Sequence, residues 1–197
     1  MGNAVKYVDD AFIYIIVFSL FLLVVITATM VYFVIKYRAS KHPEPSDIRT
    51  NWKIELIWTV IPTIIALGMF YIGWQSYIGL RTVPPDAIEI DVTGMQYAWV
   101  FRYPNNKESE SVLIVPQGKP IKLNITSLDV LHSLFIPAFR IKMDAIKNMK
   151  TYTWFYADKI GNYTIFCTEY CGVGHADMTG MLRIVTESEY SEWLNKK

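Results

Sequence analysis

The chain has 197 residues, 52% of them hydrophobic and only 19% charged, with a net charge of +1. That balance excludes a nucleic-acid role, which needs a basic patch, and points to a membrane-anchored protein. No internal repeat or low-complexity segment is present, and the chain holds two cysteines and three histidines.

Ala11–Ile35 carries no charged residue, and neither does Leu56–Leu80. Each exceeds the roughly 20 residues that cross a bilayer as a helix. A pair of buried core helices is the other reading, but core helices seldom stay uncharged over such lengths. The first span is too long for the apolar region of a cleaved signal peptide and has no basic tract before it, so it reads as an uncleaved anchor. Pro62 removes one backbone hydrogen bond and predicts an interruption and kink in the second span. Lys36, Arg38, Lys41, Arg49 and Lys53 cluster between the spans. The positive-inside rule places that loop in the cytoplasm, with the N-terminal tail and everything after Leu80 on the opposite side. His42, among Pro43, Glu44 and Pro45, reads as solvated. Glu55 stands at the cytoplasmic end of the second span, where a charge ordinarily anchors the interface.

Residues 1–81 are therefore expected to form a transmembrane hairpin, and 82–197 a separate domain. Ala87–Thr93 alternates apolar and polar residues, as a half-buried strand should. Tyr97–Tyr103, Val112–Val115, Ile121–Thr126, Thr151–Tyr156, Tyr163–Phe166 and Gly180–Val185 are further predicted strands. Pro104-Asn-Asn, Pro116-Gln-Gly and Ile160-Gly-Asn punctuate them as turns. Many short strands with regular turns predict a sandwich or barrel. Glu187–Leu194 reads as a short closing helix. The aromatic run Gln96-Tyr97-Ala-Trp99-Val-Phe101-Arg-Tyr103 reads, by its alternation, as sandwich core.

Both cysteines fall in Cys167-Thr-Glu169-Tyr-Cys171-Gly-Val-Gly-His175-Ala-Asp-Met178. Thiolate, imidazole and thioether are the soft and borderline donors that select copper among first-row metals. A disulfide is a second reading outside the cytoplasm. A structural zinc is a third, though it needs four ligands, commonly in two paired motifs, and one pair is present. The four-residue spacing suits two cysteines that bridge two metal ions better than a closed zinc knuckle. A second histidine is then required. His132, in Asp129-Val-Leu-His132-Ser, reads as the end of an apolar strand-like run, where a lone histidine is more often a hydrogen-bonded core residue. With the downstream loop it completes the ligand order of blue-copper-type sandwiches, two His, a Cys and a weak axial Met.

These segments, with Met143-Asp144-Ala-Ile, resemble subunit II of the haem–copper terminal oxidases, the cytochrome c oxidase type that carries the binuclear CuA centre. The likeness runs from the first hydrophobic segment to Val185. It implies a cupredoxin-like Greek-key sandwich behind a two-helix membrane hairpin. It also implies Cys167 and Cys171 as bridging ligands, His132 and His175 as terminal ligands and Met178 as a weak ligand. The Glu169 carbonyl would bind the second copper, and its side chain would reach a magnesium ion at the interface with subunit I. Glu55 matches a family glutamate at the mouth of a proton channel. A tryptophan through which electrons come in aligns with Tyr97, with Trp99 two residues on; that departure leaves open which of them, and which donor, serves here.

The spans hold no histidine for a haem, and no Cys-x-x-Cys-His attaches one covalently. The resemblance thus implies an electron-input subunit of a proton-pumping oxidase that reduces O2 to water. Its partners would be a haem-bearing subunit I, other oxidase subunits, a c-type cytochrome and the bilayer, with no nucleic acid. It implies a bacterial cell membrane or mitochondrial inner membrane, with the C-terminal domain on the extracytoplasmic side. The alternatives are the CuA subunit of a nitric oxide reductase and a non-enzymatic copper-binding or delivery protein.

Overall fold

The computed structural model describes residues 4–44 and 50–196; Pro45 and Arg49 of the basic loop lie outside them. The chain divides into two compact bodies. One is Asp9–Ser76, and the other runs from Tyr77 onward together with the N-terminal residues through Val8.

The first body is built on helices α1 (Ala4–Lys36) and α2 (Trp52–Arg81). α1 begins at Ala4, well before the apolar run, because hydropathy marks what a bilayer covers and not where backbone hydrogen bonding starts. Leu23, Val24, Ile26, Val34, Leu67 and Phe70 are each at least 60% exposed. A water-soluble protein does not present continuous apolar surface of that kind, so both helices are membrane spans and the buried-core reading fails. α2 runs through Pro62 without ending there, against the predicted interruption. Thr59 and Thr63, on either side of it, donate their hydroxyls to the carbonyls of Glu55 and Thr59 at 2.8 and 2.6 Å. Gly68 leaves room for α1: a Cβ there would come within 3.3 Å of the Tyr14 hydroxyl.

The second body is a β-sandwich. Its strands are β1 (Ile88–Met95), β2 (Ala98–Arg102), β3 (Glu108–Glu110), β4 (Val112–Pro116), β5 (Pro120–Ser127), β6 (His132–Ile136), β7 (Ile141–Ala145), β8 (Thr151–Tyr156), β9 (Gly161–Cys167) and β10 (Thr179–Val185). One sheet has the order β3-β2-β1-β5-β8 and the other β4-β10-β9-β6-β7. β1–β5 and β4–β10 pair in parallel; the remaining neighbours are antiparallel. Consecutive strands β4, β5 and β6 alternate between the sheets, as do β7, β8 and β9, in the crossing manner of Greek-key sandwiches. Period-2 alternation aims Ile90, Val92, Trp99, Phe101, Leu123, Ile125, Leu134 and Ile165 between the sheets, each fully buried. Each such aliphatic or Phe side chain contributes on the order of 1.5–3 kcal/mol.

Several expectations need correction. His132 opens β6 and does not close a strand, since residues 128–131 form a loop. Tyr97 lies in the two-residue turn between β1 and β2, which starts at Ala98. Gly161 and Asn162, predicted as a turn, already pair with Ile184 and Arg183. β3 is a short polar edge strand with no apolar signal. β7 follows Arg140, whose left-handed backbone (φ 53°) ends a one-turn 3-10 helix over Pro137–Phe139.

Two helical segments pack against the sandwich. In α3 (Glu187–Asn195) Thr186 accepts from the Glu189 N–H while the Glu189 carboxylate accepts from the Thr186 N–H, a reciprocal capping box. Its Trp193 meets Tyr103 edge-on at 4.8 Å between ring centroids. The last turn of α2 belongs to this body. Arg81 donates to the Tyr152 carbonyl at 3.2 Å and lies 4.0 Å above the Tyr152 ring.

Candidate metal centre

Three chain segments converge at one end of the sandwich: the β1–β2 turn, the loop into β6, and the β9–β10 loop. The last is closed at its base, where Cys167 N–H donates to the Met178 carbonyl at 3.1 Å and Thr168 N–H to the Ser133 carbonyl at 2.9 Å. The loop is therefore held to both its own strand pair and β6. Cys167 and Cys171, 7% and 5% exposed, are not bonded to each other. Their sulfurs are 3.9 Å apart, nearly twice the ~2.05 Å of a disulfide, so the disulfide reading does not describe this state.

Donor atoms surround that sulfur pair. Cys167 Sγ lies 3.9 Å from His132 Nδ1 and 3.4 Å from the Glu169 carbonyl oxygen. Cys171 Sγ lies 3.5 Å from His175 Nδ1 and 3.8 Å from Met178 Sδ. The donor atoms of His132, Cys167 and Cys171 lie within 4.8 Å of one another, and His175 falls outside that group. Each sulfur thus has its own neighbouring donors, His132 and the Glu169 carbonyl beside Cys167, and His175 and Met178 beside Cys171. Six donors exceed the four of a closed tetrahedral zinc site and fit two ions that share both thiolates.

The surrounding residues fix this geometry. Asp129 Oδ1 is 2.8 Å from His132 Nε2; a proton held there leaves Nδ1 as the lone-pair nitrogen toward the sulfurs, the usual carboxylate–histidine arrangement. Asp129 also accepts from the backbone N–H of Gln96 and Val130 at 2.7 and 2.6 Å. Burial pushes its carboxyl up, but the hydrogen bonds from His132, Gln96 and Val130 outweigh that and hold it at about 2. Burial, with the neighbouring Cys167 thiol, pushes the Cys171 thiol up to about 11. A metal that binds here must displace that proton. Gln96 donates its amide to the Cys171 carbonyl at 2.6 Å. Gly94 permits the close approach of Trp99 and His132: a Cβ there would lie 3.0 and 3.2 Å from them.

Tyr97 is 40% exposed and its ring lies against the backbone of the metal loop. A Cβ on Gly172 or Gly174 would come within 2.5 or 2.6 Å of it, and Gly172 has φ +135°. Trp99 is fully buried and meets the His132 ring edge-on at 6.0 Å. Its indole N–H has no hydrogen-bond partner among the described residues. Glu55 is in the other body, half-buried in the first turn of α2. It accepts from Asn51 N–H at 3.3 Å, while the Asn51 side chain accepts from Ile54 N–H at 3.4 Å, so its carboxylate takes part in capping the helix. His42 is exposed, and its ring lies tilted against Tyr37 at 5.2 Å between centroids. Gly94, Gln96 and the orienting role of Asp129 escaped the sequence reading; Asp129 at i−3 from a candidate ligand was the one available sign.

Comparison with known proteins agrees with this arrangement. The family model described as the periplasmic domain of cytochrome c oxidase subunit II matches residues 105–187. The model of its transmembrane domain matches residues 2–77. Cytochrome c oxidase subunit 2 of Thermostichus vulcanus is 28% identical over 94% of this chain and 73% of its own length. The crystal structure of the periplasmic domain of subunit II of cytochrome oxidase of Bradyrhizobium japonicum is 33% identical. It covers 57% of this chain and 94% of that one, with a TM-score of 0.56. A crystal structure of a mixed disulfide between a thioredoxin-like protein and subunit II of cytochrome c oxidase is 34% identical, with a TM-score of 0.52, covering 57% and 92%. Two membrane spans, a cupredoxin-like sandwich and these matches lead to one conclusion: the chain belongs to the cytochrome c oxidase subunit II family, a membrane-anchored subunit of a haem–copper terminal oxidase.

Proposed function

We propose that His132, Cys167, Cys171, His175, Met178 and the Glu169 carbonyl hold the binuclear copper centre CuA. Through it the chain takes electrons from a c-type cytochrome and delivers them to the haem of subunit I, where O2 is reduced to water with proton pumping. The observation that carries this is the pair of unbonded sulfurs 3.9 Å apart with further donors beside each. When bound, copper held by these donors would supply reversible one-electron transfer. The chain's part is to keep the donors still. The sandwich fixes His132 at the start of β6 and Cys167 at the end of β9, and Asp129 sets the imidazole tautomer. Burial of His132 and Met178, at 0% and 1% exposure, keeps water from the centre and supports rapid electron transfer over copper delivery, which calls for an accessible, labile site.

Electrons come in, on this reading, through Tyr97, which is exposed and rests on the metal loop, while Trp99 serves as core packing behind His132. The Glu169 side chain would hold magnesium at the contact with subunit I. The basic loop supports an orientation with the sandwich outside the cytoplasm, by the positive-inside rule. Glu55 would stand at a proton route into subunit I in addition to capping α2. The thiols must be reduced to take metal; the relative caught in a mixed disulfide with a thioredoxin-like protein supports a similar reductant here.

Stopped-flow mixing of the assembled oxidase with a reduced c-type cytochrome tests this. Copper reduction slowed strongly in Tyr97→Leu, with the copper absorption intact and Trp99→Leu either unaffected or unfolded, is the expected result. Unchanged rates in a folded Tyr97→Leu protein would send the electrons elsewhere.

A further inference from the structure

We propose that the outer face of the β3-β2-β1-β5-β8 sheet carries a site for a small protonated oxyanion, with inorganic phosphate as the ligand. None of its residues is a metal donor, so the site does not depend on the copper reading. The alternation that buries Ile90, Val92, Phe101, Leu123 and Ile125 turns their neighbours outward. These are Asp91 and Thr93 of β1, Arg102 of β2, and Asn124 and Thr126 of β5. Register sets them side by side: Asp91 stands between Arg102 and Asn124, and Thr93 opposite Thr126. With Lys150, the residue before β8, they line a cleft of about 150 Å³. Sites for drug-sized molecules run to roughly 300–1,000 Å³, so this cleft suits a ligand of a few heavy atoms.

The hydrogen bonds already made around the cleft define what is left over. Arg102 gives Nε and Nη2 to Glu108, each at 2.8 Å, and keeps Nη1. The Asn124 amide donates to Glu89 at 3.0 Å and to Asp91 Oδ1 at 3.3 Å, which leaves Asp91 Oδ2 as an acceptor. Thr126 donates its hydroxyl to the Ile146 carbonyl at 3.3 Å, while the Thr93 hydroxyl is uncommitted among the described residues. Lys150 makes no ion pair among the described residues, although Asp91 lines the same cleft. An ammonium and a carboxylate therefore face one space without meeting. What bridges them must accept from Lys150, Arg102 and Thr93 and donate to Asp91. Charge-assisted hydrogen bonds of the first kind are the strong ones. Phosphate at neutral pH brings several acceptor oxygens and a P–OH group for Asp91. Sulfate has the same shape but no proton, so it would set an oxygen against the carboxylate, and a phosphate diester such as a phospholipid headgroup has the same defect. A zwitterion such as glycine brings three N–H groups to a cleft whose free groups are mostly donors.

Isothermal titration calorimetry of the purified full chain in detergent at neutral pH tests this, with inorganic phosphate, sulfate, dimethyl phosphate and glycine as probes. Phosphate should bind with a Kd of about 1 mM or tighter, and at least about tenfold more tightly than each of the other three. Lys150→Gln should weaken phosphate about tenfold through loss of a charge-assisted hydrogen bond. Asp91→Asn should bring sulfate to within about threefold of phosphate, because the amide can donate where the carboxylate only accepts and the repulsive element is gone. Asp91 and Lys150 are both exposed, so each variant should fold, which near-ultraviolet circular dichroism checks. Sulfate or dimethyl phosphate bound by the wild type as tightly as phosphate would overturn the proposal, as would phosphate binding that survives undiminished in folded Lys150→Gln. Glycine bound in place of phosphate would make the cleft a zwitterion site. No binding of phosphate up to about 10 mM would leave it a water-filled polar face.

Discussion

The two bodies of this chain use the same side chains in opposite ways. In Asp9–Ser76, Val24 and Ile26 are each 64% exposed, while in the sandwich Ile90 and Ile165 are fully buried. The difference lies in what covers them. The apolar residues of the helices are left for lipid or partner subunits to cover, so they need no partner within this chain. The facing sheet covers the sandwich core, so each residue there has a fixed neighbour and a fixed direction. The second arrangement holds the candidate donor atoms of His132, Cys167 and Cys171 within 4.8 Å of one another.

The comparison is broken most severely at the metal. On the proposed copper reading each thiolate would serve both ions, so Cys167→Ser and Cys171→Ser should each abolish the binuclear centre, whereas Met178→Leu should keep copper and shift its potential, the usual effect of an axial thioether. Metal analysis with redox titration of the purified full chain checks both halves; complete copper loss in Met178→Leu would refute its weak-ligand role.

Paired truncations sharpen the comparison next. Ile165→Ala should destabilise the sandwich by about 2–5 kcal/mol, the range for aliphatic cavities in packed cores. Val24→Ala should leave the sandwich unfolding transition unchanged, because Val24 packs no protein core. Denaturant titration followed by tryptophan fluorescence reads both, and equal effects would contradict the division into two solvation regimes.

Glu55 offers a subtler test. Its carboxylate accepts the Asn51 N–H, and a Gln side chain keeps a carbonyl acceptor for that bond but cannot exchange a proton. Glu55→Gln should therefore slow oxygen consumption by the assembled oxidase without altering copper spectra. Unchanged turnover in Glu55→Gln would reduce Glu55 to a helix cap.

The smallest effect belongs to α3. Thr186→Ala should cost about 1 kcal/mol, as loss of a Thr cap does. The Thr186 backbone N–H, and then its hydroxyl, hold the Glu189 carboxyl below its ordinary value. That contribution is present above about pH 4.5, the value for the unfolded chain, and is lost as pH falls through the lower folded value. Acid titration of the wild type and Thr186→Ala, followed by near-ultraviolet circular dichroism, should show the difference between them shrinking at low pH.

What was legible in the sequence follows the same contrast. The helices announced themselves because hydropathy depends on residue type alone; α1 extends further back than the apolar run, and α2 continues through Pro62, where an interruption and kink were expected. Alternation revealed β1, β5, β8 and β10, because a sheet with one buried face imposes period 2. It missed β3, whose Glu-Ser-Glu edge buries nothing, and it misplaced His132, since Val130 and Leu131 are apolar yet form part of a loop. The soft donors of the Cys167–Met178 loop were visible by type. The residues that aim them were not: Gly94 acts by lacking a side chain, Gln96 reaches the Cys171 carbonyl from far along the chain, and Asp129, although only three residues before His132, orients its ring through a side-chain contact that the fold sets.

Electron paramagnetic resonance of the oxidised, copper-loaded full chain tests the central claim most directly. The arrangement of further donors beside each of the paired sulfurs predicts hyperfine structure from one unpaired electron spread equally over two copper nuclei, with two coppers bound per chain. A four-line pattern from a single copper nucleus, at one copper per chain, would contradict it.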